Sequence, residues 1–173
     1  MLKSFLPNKQ VKDIFQITPK DLKNQGIKAV ITDLDNTLVE WDRPNATPKL
    51  TEWFKRMQEE GILVTIVSNN NEARVKAFSD PLGIPFIYKA RKPMGKAFSR
   101  AIKEMNVNKE ETVVVGDQLL TDILGGNRNG FYTILVIPVA QTDGFVTKFN
   151  RRVERRIMSW FKRKGLLNWE EQS

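Results

Sequence analysis

Four short apolar runs constrain this chain more than any other feature. They are "KAVITDL" from Lys28, "ILVTIVSN" from Ile62, "ETVVVGD" from Glu111 and "FYTILVIP" from Phe131. Each is rich in β-branched residues and apolar on both faces, and each is too short for a buried helix. Between them lie helix patterns. "TPKLTEWFKRMQEEG" offers Thr47 as N-cap, Pro48 as first helical residue and Gly61 as the stop. "NEARVKAFSDPLG" reads as a helix up to Pro81, "MGKAFSRAIKEMN" as an amphipathic helix, and "TDILGGNRNG" as a helix entering a glycine-rich turn. A further short run, "IPFIYK" from Ile84, supplies a fifth strand. Apolar strands alternating with helices predict a parallel sheet covered on both faces. The expected fold is therefore α/β: a Rossmann-like three-layer α/β/α sandwich around a five-stranded, mainly parallel sheet.

In such sheets ligands sit beyond the carboxyl ends of the strands, near the point where strand order reverses. The polar residues of this chain fall there. The first strand ends in Asp33-Leu34-Asp35-Asn36-Thr37, the second in Ser68-Asn69, and the fourth in Gly116-Asp117 with Asp122 five residues on. Lys92 follows the third strand, with Lys89 and Arg91 close by as rival cations. Asp33 and Asp35 would share a face of a continuing strand, and buried carboxylates are costly unless paired or metal-bound. The chain has no Cys and no His. That excludes disulfides, thiolate nucleophiles, Cys/His zinc sites and histidine acid–base catalysis. Carboxylates, Lys, Tyr or metal-bound water must do any such work near neutral pH. Several acids, one cation and small hydroxyl and amide donors suit phosphoryl transfer: a carboxylate nucleophile, a divalent cation and fixed donors for the phosphate oxygens.

The set "DLDNT", "SN", "RKP" and "GDQLLTD" resembles the four motifs of the haloacid dehalogenase-like phosphatase superfamily, in order and spacing, from about Lys28 to Pro138. The resemblance implies Asp33 as nucleophile, forming an aspartyl-phosphate, and Asp35 as general acid and then general base. It implies Mg²⁺ on the Asp33 carboxylate, the Asp35 backbone carbonyl and Asp117, with Asp122 holding the metal shell. Lys92 would pair with nucleophile and phosphate, Ser68 and Asn69 would hold phosphoryl oxygens, and Thr37 would brace the first loop at the edge of the phosphate site.

Only 30 residues separate Thr37 from Ser68 and 22 separate Asn69 from Lys92, which leaves no room for a cap domain. A capless member resembles subfamily III, whose open site suits a large or surface-presented substrate. Trp41 and Arg43 fall where the family places a short flap; Trp41 reads equally as a packing residue.

The net charge of +8 is concentrated in one segment. Between Phe145 and Gly165 there are eight basic residues and one acid, Glu154; the rest of the chain carries 20 basic and 19 acidic residues. Phe145, Phe149, Val153, Ile157, Trp160 and Phe161 form an apolar stripe at helical spacing, with Lys148, Arg151, Arg152, Arg155, Arg156 and Lys162 to Lys164 on the other sides. A basic amphipathic helix of this kind binds anionic membrane surfaces or packs on its own domain. The expected organisation is a phosphatase domain over residues 1–140, its catalytic core about 28–138, and a basic helical tail over 141–173. No apolar run reaches the length of a membrane span and the N-terminus lacks a signal-peptide pattern. The expected location is the cytoplasm, with the tail meeting the inner membrane face.

The continuation "TDGFVTKFNRRVERR" resembles a capless bacterial branch, the YqeG-like proteins, related to mitochondrial phosphatidylglycerophosphate phosphatases. That implies a lipid phosphate monoester as substrate. Two other readings stay open. One is a soluble nucleotide, sugar or protein phosphatase. The other, from a different class, is a non-catalytic RNA- or ribosome-binding protein on the same scaffold, although no RNA-binding motif is visible.

Overall fold

A computed structural model describes residues 2–140 and 145–167, with side chains from residue 148 onward in the second segment. Residues 141–144 and 168–173 of the expected tail, and the Phe145 side chain of its apolar stripe, lie outside the described residues. The elements in chain order are β1 (Lys9–Val11), α1 (Pro19–Asn24), β2 (Ala29–Thr32), α2 (Pro48–Glu59), β3 (Leu63–Val67), α3 (Glu72–Ser79), β4 (Phe86–Ile87), α4 (Lys96–Met105), β5 (Thr112–Gly116), α5 (Leu124–Arg128), β6 (Tyr132–Val136) and α6 (Phe145–Arg163).

All pairings are parallel, in the order β1-β6-β5-β2-β3-β4. The sheet thus has six strands, not the expected five. The sixth is β1, "KQV", where Lys9 pairs with Ile134 and Val11 with Val136. It is a three-residue edge strand, half-buried throughout, so it lacks the apolar run that marks an interior strand.

Period-two alternation divides the strands between two cores. Val30, Val64, Ile66, Val113, Val115 and Ile134 face one side, where α2 buries Leu50, Trp53, Phe54 and Met57 and α3 buries Val75 and Phe78. Ile31, Val67 and Val114 face the other, against Ala97, Phe98 and Ala101 of α4. Each large apolar side chain so buried contributes about 1.5–3 kcal/mol. The Thr47 hydroxyl caps α2 by accepting the Leu50 N–H at 3.2 Å, as its position before Pro48 predicts. Between Thr37 and Ser68 the chain holds one helix and one strand, α2 and β3.

Strand order reverses between β2 and β5, which lie side by side at the centre of the sheet. The residues that follow these two strands, Asp33 and Asp117, are therefore brought together by topology.

The tail packs on the domain. Ile157 and Met158 of α6 lie against Leu119, Ile123 and Leu135, and Phe161 is fully buried. Phe149, expected in the same stripe, is 70% exposed. Among the described residues no helix is long and apolar enough to cross a membrane.

Candidate active site

Asp33 leaves β2 with its N–H still donating to the Val115 carbonyl at 3.0 Å, so the sheet ladder fixes its backbone. The chain then turns tightly. Asn36 adopts a left-handed conformation (φ 61°), and its N–H donates to the Val39 carbonyl at 2.7 Å. Asn tolerates that region better than most residues. The turn brings the Thr37 hydroxyl back to donate to Asp117 Oδ1 at 3.1 Å. Thr37 thus braces the two acid-bearing loops against each other, and its proton goes to Asp117.

Asp33, Asp117 and Asp122 are all buried, and one carboxylate oxygen from each lies within 4.8 Å of the others. Asp122 projects from a π-helical turn, Leu119–Ile123, and Oδ2 accepts the Gln118 N–H at 3.2 Å. It packs over Gly116 so closely that any Cβ there would overlap its carboxyl group. The "GD" pair therefore needs its glycine for close approach.

Lys92 provides the main counter-charge. Its Nζ donates to Asp33 Oδ1 at 3.0 Å and to Asp122 Oδ1 at 2.6 Å, with 2% of the side chain exposed. Burial works against the ammonium, but Asp122 and Asp33 outweigh it and raise its pKa, so Lys92 stays charged. Lys89 and Arg91 are exposed, which settles which of the three cations meets the acids. Asn69 holds the Lys92 peptide at both ends: its Oδ1 accepts the Lys92 N–H at 2.7 Å and its Nδ2 donates to the Lys92 carbonyl at 3.2 Å. This amide, expected beside the phosphate, positions the lysine. Ser68 is buried at the end of β3, its Oγ accepting the Asn70 N–H at 3.1 Å.

Asp35 has its own partners. Asn70 Nδ2 donates to Oδ2 at 2.8 Å, and Arg74 Nε and Nη2 donate to Oδ1 at 3.0 and 2.9 Å. Burial raises its pKa above the ordinary carboxylate value, as does the Asp33 charge, while Asn70 and Arg74 hold it down. A raised carboxyl pKa suits a group that donates a proton near neutral pH.

Three participants escape a sequence reading. Asn70 and Arg74 sit beyond the second motif. Arg74 lies in the first turn of α3, where a cation meets an unfavourable helix dipole, so a non-local partner is its only signal. Arg151 is assigned by helical spacing to the basic face of the tail, yet it turns into the domain. Its Nη2 binds Asp117 Oδ2, and Nη1 donates to the Asp117 carbonyl at 2.8 Å and to Glu154 Oε2 at 3.1 Å. Glu154 in turn accepts the Leu120 N–H at 3.1 Å. Glu154, the one acid between Phe145 and Gly165, is therefore a buried key that locks α6 onto the loop after β5.

Burial pushes Asp122 up to about 6 against the pull of Lys92, and raises Asp117 well above the usual range against the pull of Arg151; the Asp33 charge adds to both. Three buried acids facing two cations leave an excess of negative charge. Hard oxygen donors in such a cluster fit a divalent cation held by a few carboxylates. Asp33, Asp117 and Asp122 are the residues that would hold it.

A parallel α/β sheet with this acid–lysine cluster at its switch point defines the class as a phosphoryl-transfer type of hydrolase scaffold. The comparisons agree: the model of the haloacid dehalogenase-like hydrolases matches residues 13–130. The chain belongs to that family and is a hydrolase. It is 71% identical to a probable phosphatase, YqeG, of Bacillus subtilis over 98% of both chains. It is 32% identical to the chloroplastic/mitochondrial phosphatidylglycerophosphate phosphatase 1 of Arabidopsis thaliana, over 93% of this chain and 49% of that one. Among solved structures, the cobalt-bound deoxy-D-mannose-octulosonate 8-phosphate phosphatase of Haemophilus influenzae shares the fold, with TM-score 0.53 and 18% identity over 79% of this chain and 90% of that one.

Proposed function

We propose that the protein is a Mg²⁺-dependent phosphomonoesterase that works through an aspartyl-phosphate on Asp33 and acts on a membrane phosphate, with phosphatidylglycerophosphate the favoured substrate. The observation that carries the catalytic reading is the placing of Lys92 Nζ between Asp33 and Asp122, with Asp117 alongside, where the two central strands end. A carboxylate oxygen of Asp33 attacks phosphorus as the bond to the leaving oxygen breaks, and Asp35 gives that oxygen its proton. Asp35 then takes a proton from water as the water attacks the phosphoryl group, which leaves as inorganic phosphate and restores Asp33. Lys92 donates to the nucleophile and offsets charge on the phosphate, and Asn69 holds Lys92 in place. The Ser68 hydroxyl stands at the same sheet edge as a donor to a phosphoryl oxygen. Mg²⁺ on Asp33, Asp117 and the Asp35 carbonyl, backed by Asp122, would neutralise phosphate charge.

Support for a membrane substrate comes from the surface. Trp41, Tyr88, Met94, Ile137 and Val139 are exposed, and all follow the carboxyl ends of strands, on the catalytic edge. Exposed Phe149 belongs to α6, which Arg151 ties to Asp117. Lys148, Arg152, Arg155 and Arg156 stay exposed on the same helix, and near an anionic leaflet each basic residue contributes about 1 kcal/mol. The test is phosphate release from phosphatidylglycerophosphate in anionic vesicles, with Mg²⁺ or EDTA, beside a panel of soluble esters. Mg²⁺-dependent turnover well above the panel supports the reading; activity confined to soluble esters removes the lipid and the membrane face from it.

A further inference from the structure

A cavity of about 430 Å³ lies between α6 and the β1–β6 edge of the sheet. That falls within the range of about 300–1,000 Å³ typical of small-molecule sites. Its apolar lining comes from Val11, Leu119, Leu135, Val136 and Met158, with Ile137 and Pro138 beyond. Asp117 and Arg151 line it too, so it reaches the acid cluster itself. A second cavity, about 350 Å³, lies between α1 and the end of α2. Its lining is polar, and both helices end there toward the amino ends of strands, away from Asp33.

We propose that the cavity under α6 seats an alkyl chain of the substrate. The inference rests on the phosphomonoesterase reading above and specifies the chemistry of its substrate. A sugar or base in this space would need several hydrogen-bonding partners, since burying unpaired polar groups is costly. The aliphatic wall offers none, and Arg155 and Ser159 line the cavity from the exposed side of α6. Arg151 already spends its guanidinium on Asp117 and Glu154. The amide of Gln10, which also lines the cavity, has no hydrogen-bond partner among the described residues. One neutral amide does not make a polar subsite. A hydrocarbon chain needs only the wall, and the adjacent Asp117 places its head at the phosphate site.

The test is calorimetric binding of ethyl, butyl, hexyl and octyl phosphate to the full chain carrying Asp33→Asn, in Mg²⁺, so that no turnover is required. A chain entering the cavity tightens Kd by up to about fourfold per methylene, from roughly 0.8 kcal/mol per buried methylene. Ser159 lines the cavity from the exposed side of α6, so Ser159→Trp fills the space at little cost to folding and should flatten this dependence. Gln10→Leu makes the lining wholly aliphatic on that strand and should steepen it, a gain that misfolding cannot mimic. A Kd independent of chain length, or a dependence that neither variant changes, overturns the proposal. Failure to bind any of the four phosphates overturns it as well. The vesicle assay separates it from the parent reading. Chain-dependent binding without phosphatidylglycerophosphate turnover keeps the cavity and sinks that substrate. Turnover without chain dependence does the reverse.

Discussion

Replacing Lys92 by Met should cost stability as well as activity, and the two losses should respond differently to metal and pH. In the wild type the ammonium lies 3.0 Å from Asp33 and 2.6 Å from Asp122, with almost no exposure. Methionine keeps the volume and removes the charge, leaving both carboxylates buried beside Asp117. Removing one partner of a buried pair costs about 3–5 kcal/mol. For a chain of this length each kcal/mol lowers Tm by about 2–4 °C, so the expected drop is about 6–20 °C. The assay is a thermal melt of both proteins in EDTA and in Mg²⁺, at pH 7.5 and at pH 5. The sign follows from Asp122, whose folded pKa near 6 lies above the ordinary carboxylate value. Without the pull of Lys92 the Asp122 carboxyl pKa rises further still, so the penalty grows as the pH climbs past that value and ionises it. Below it the carboxyl is protonated and the penalty shrinks. Mg²⁺ should recover part of the stability at pH 7.5 by supplying charge to the same acids, while phosphate release stays at least about a hundredfold down, the usual cost of losing one positioned donor. Equal melting temperatures for variant and wild type in EDTA at pH 7.5 would refute the charge argument.

Arg74→Leu removes an influence that holds the Asp35 pKa down, so the basic limb of the kcat/KM profile, which needs protonated Asp35, should move to higher pH; a limb that stays put or moves down would show that Asp35 is not the acid. Gly116→Ala places a methyl group inside the Asp122 carboxyl, and the overpacking should cost about 1–3 kcal/mol in a denaturant titration together with most of the activity. A neutral result would mean that Asp122 can move without consequence.

The interior of the fold was readable because its strands are fully buried. β2, β3, β5 and β6 advertise themselves by β-branched apolar runs, and the helices by Thr47-Pro48 and by their spacing. β1 was not readable, because an edge strand of three residues between polar neighbours carries no pattern. The acids of the site could be seen because each follows a strand. Lys92 could not be told from Lys89 and Arg91 until burial separated them. Arg74 and Arg151 act across 39 and 34 positions of sequence, and no local pattern encodes such a pair. Helical periodicity placed Arg151 among the basic residues flanking the apolar stripe and gave Glu154 no role. In the structure those two residues are what ties α6 to Asp117 and Leu120. The tail is therefore part of the site's surroundings, and its removal would disturb the acids as well as any membrane contact.

The central claim is the covalent role of Asp33. It is tested most directly by acid-quenching the protein during turnover of p-nitrophenyl phosphate with Mg²⁺ and mapping the phosphoryl group by peptide mass spectrometry. The account predicts a phosphoryl group on the peptide bearing Asp33, absent in EDTA and absent, together with turnover, in Asp33→Asn. Phosphate release by Asp33→Asn at the wild-type rate, or a phosphoryl group found on another residue, would contradict it.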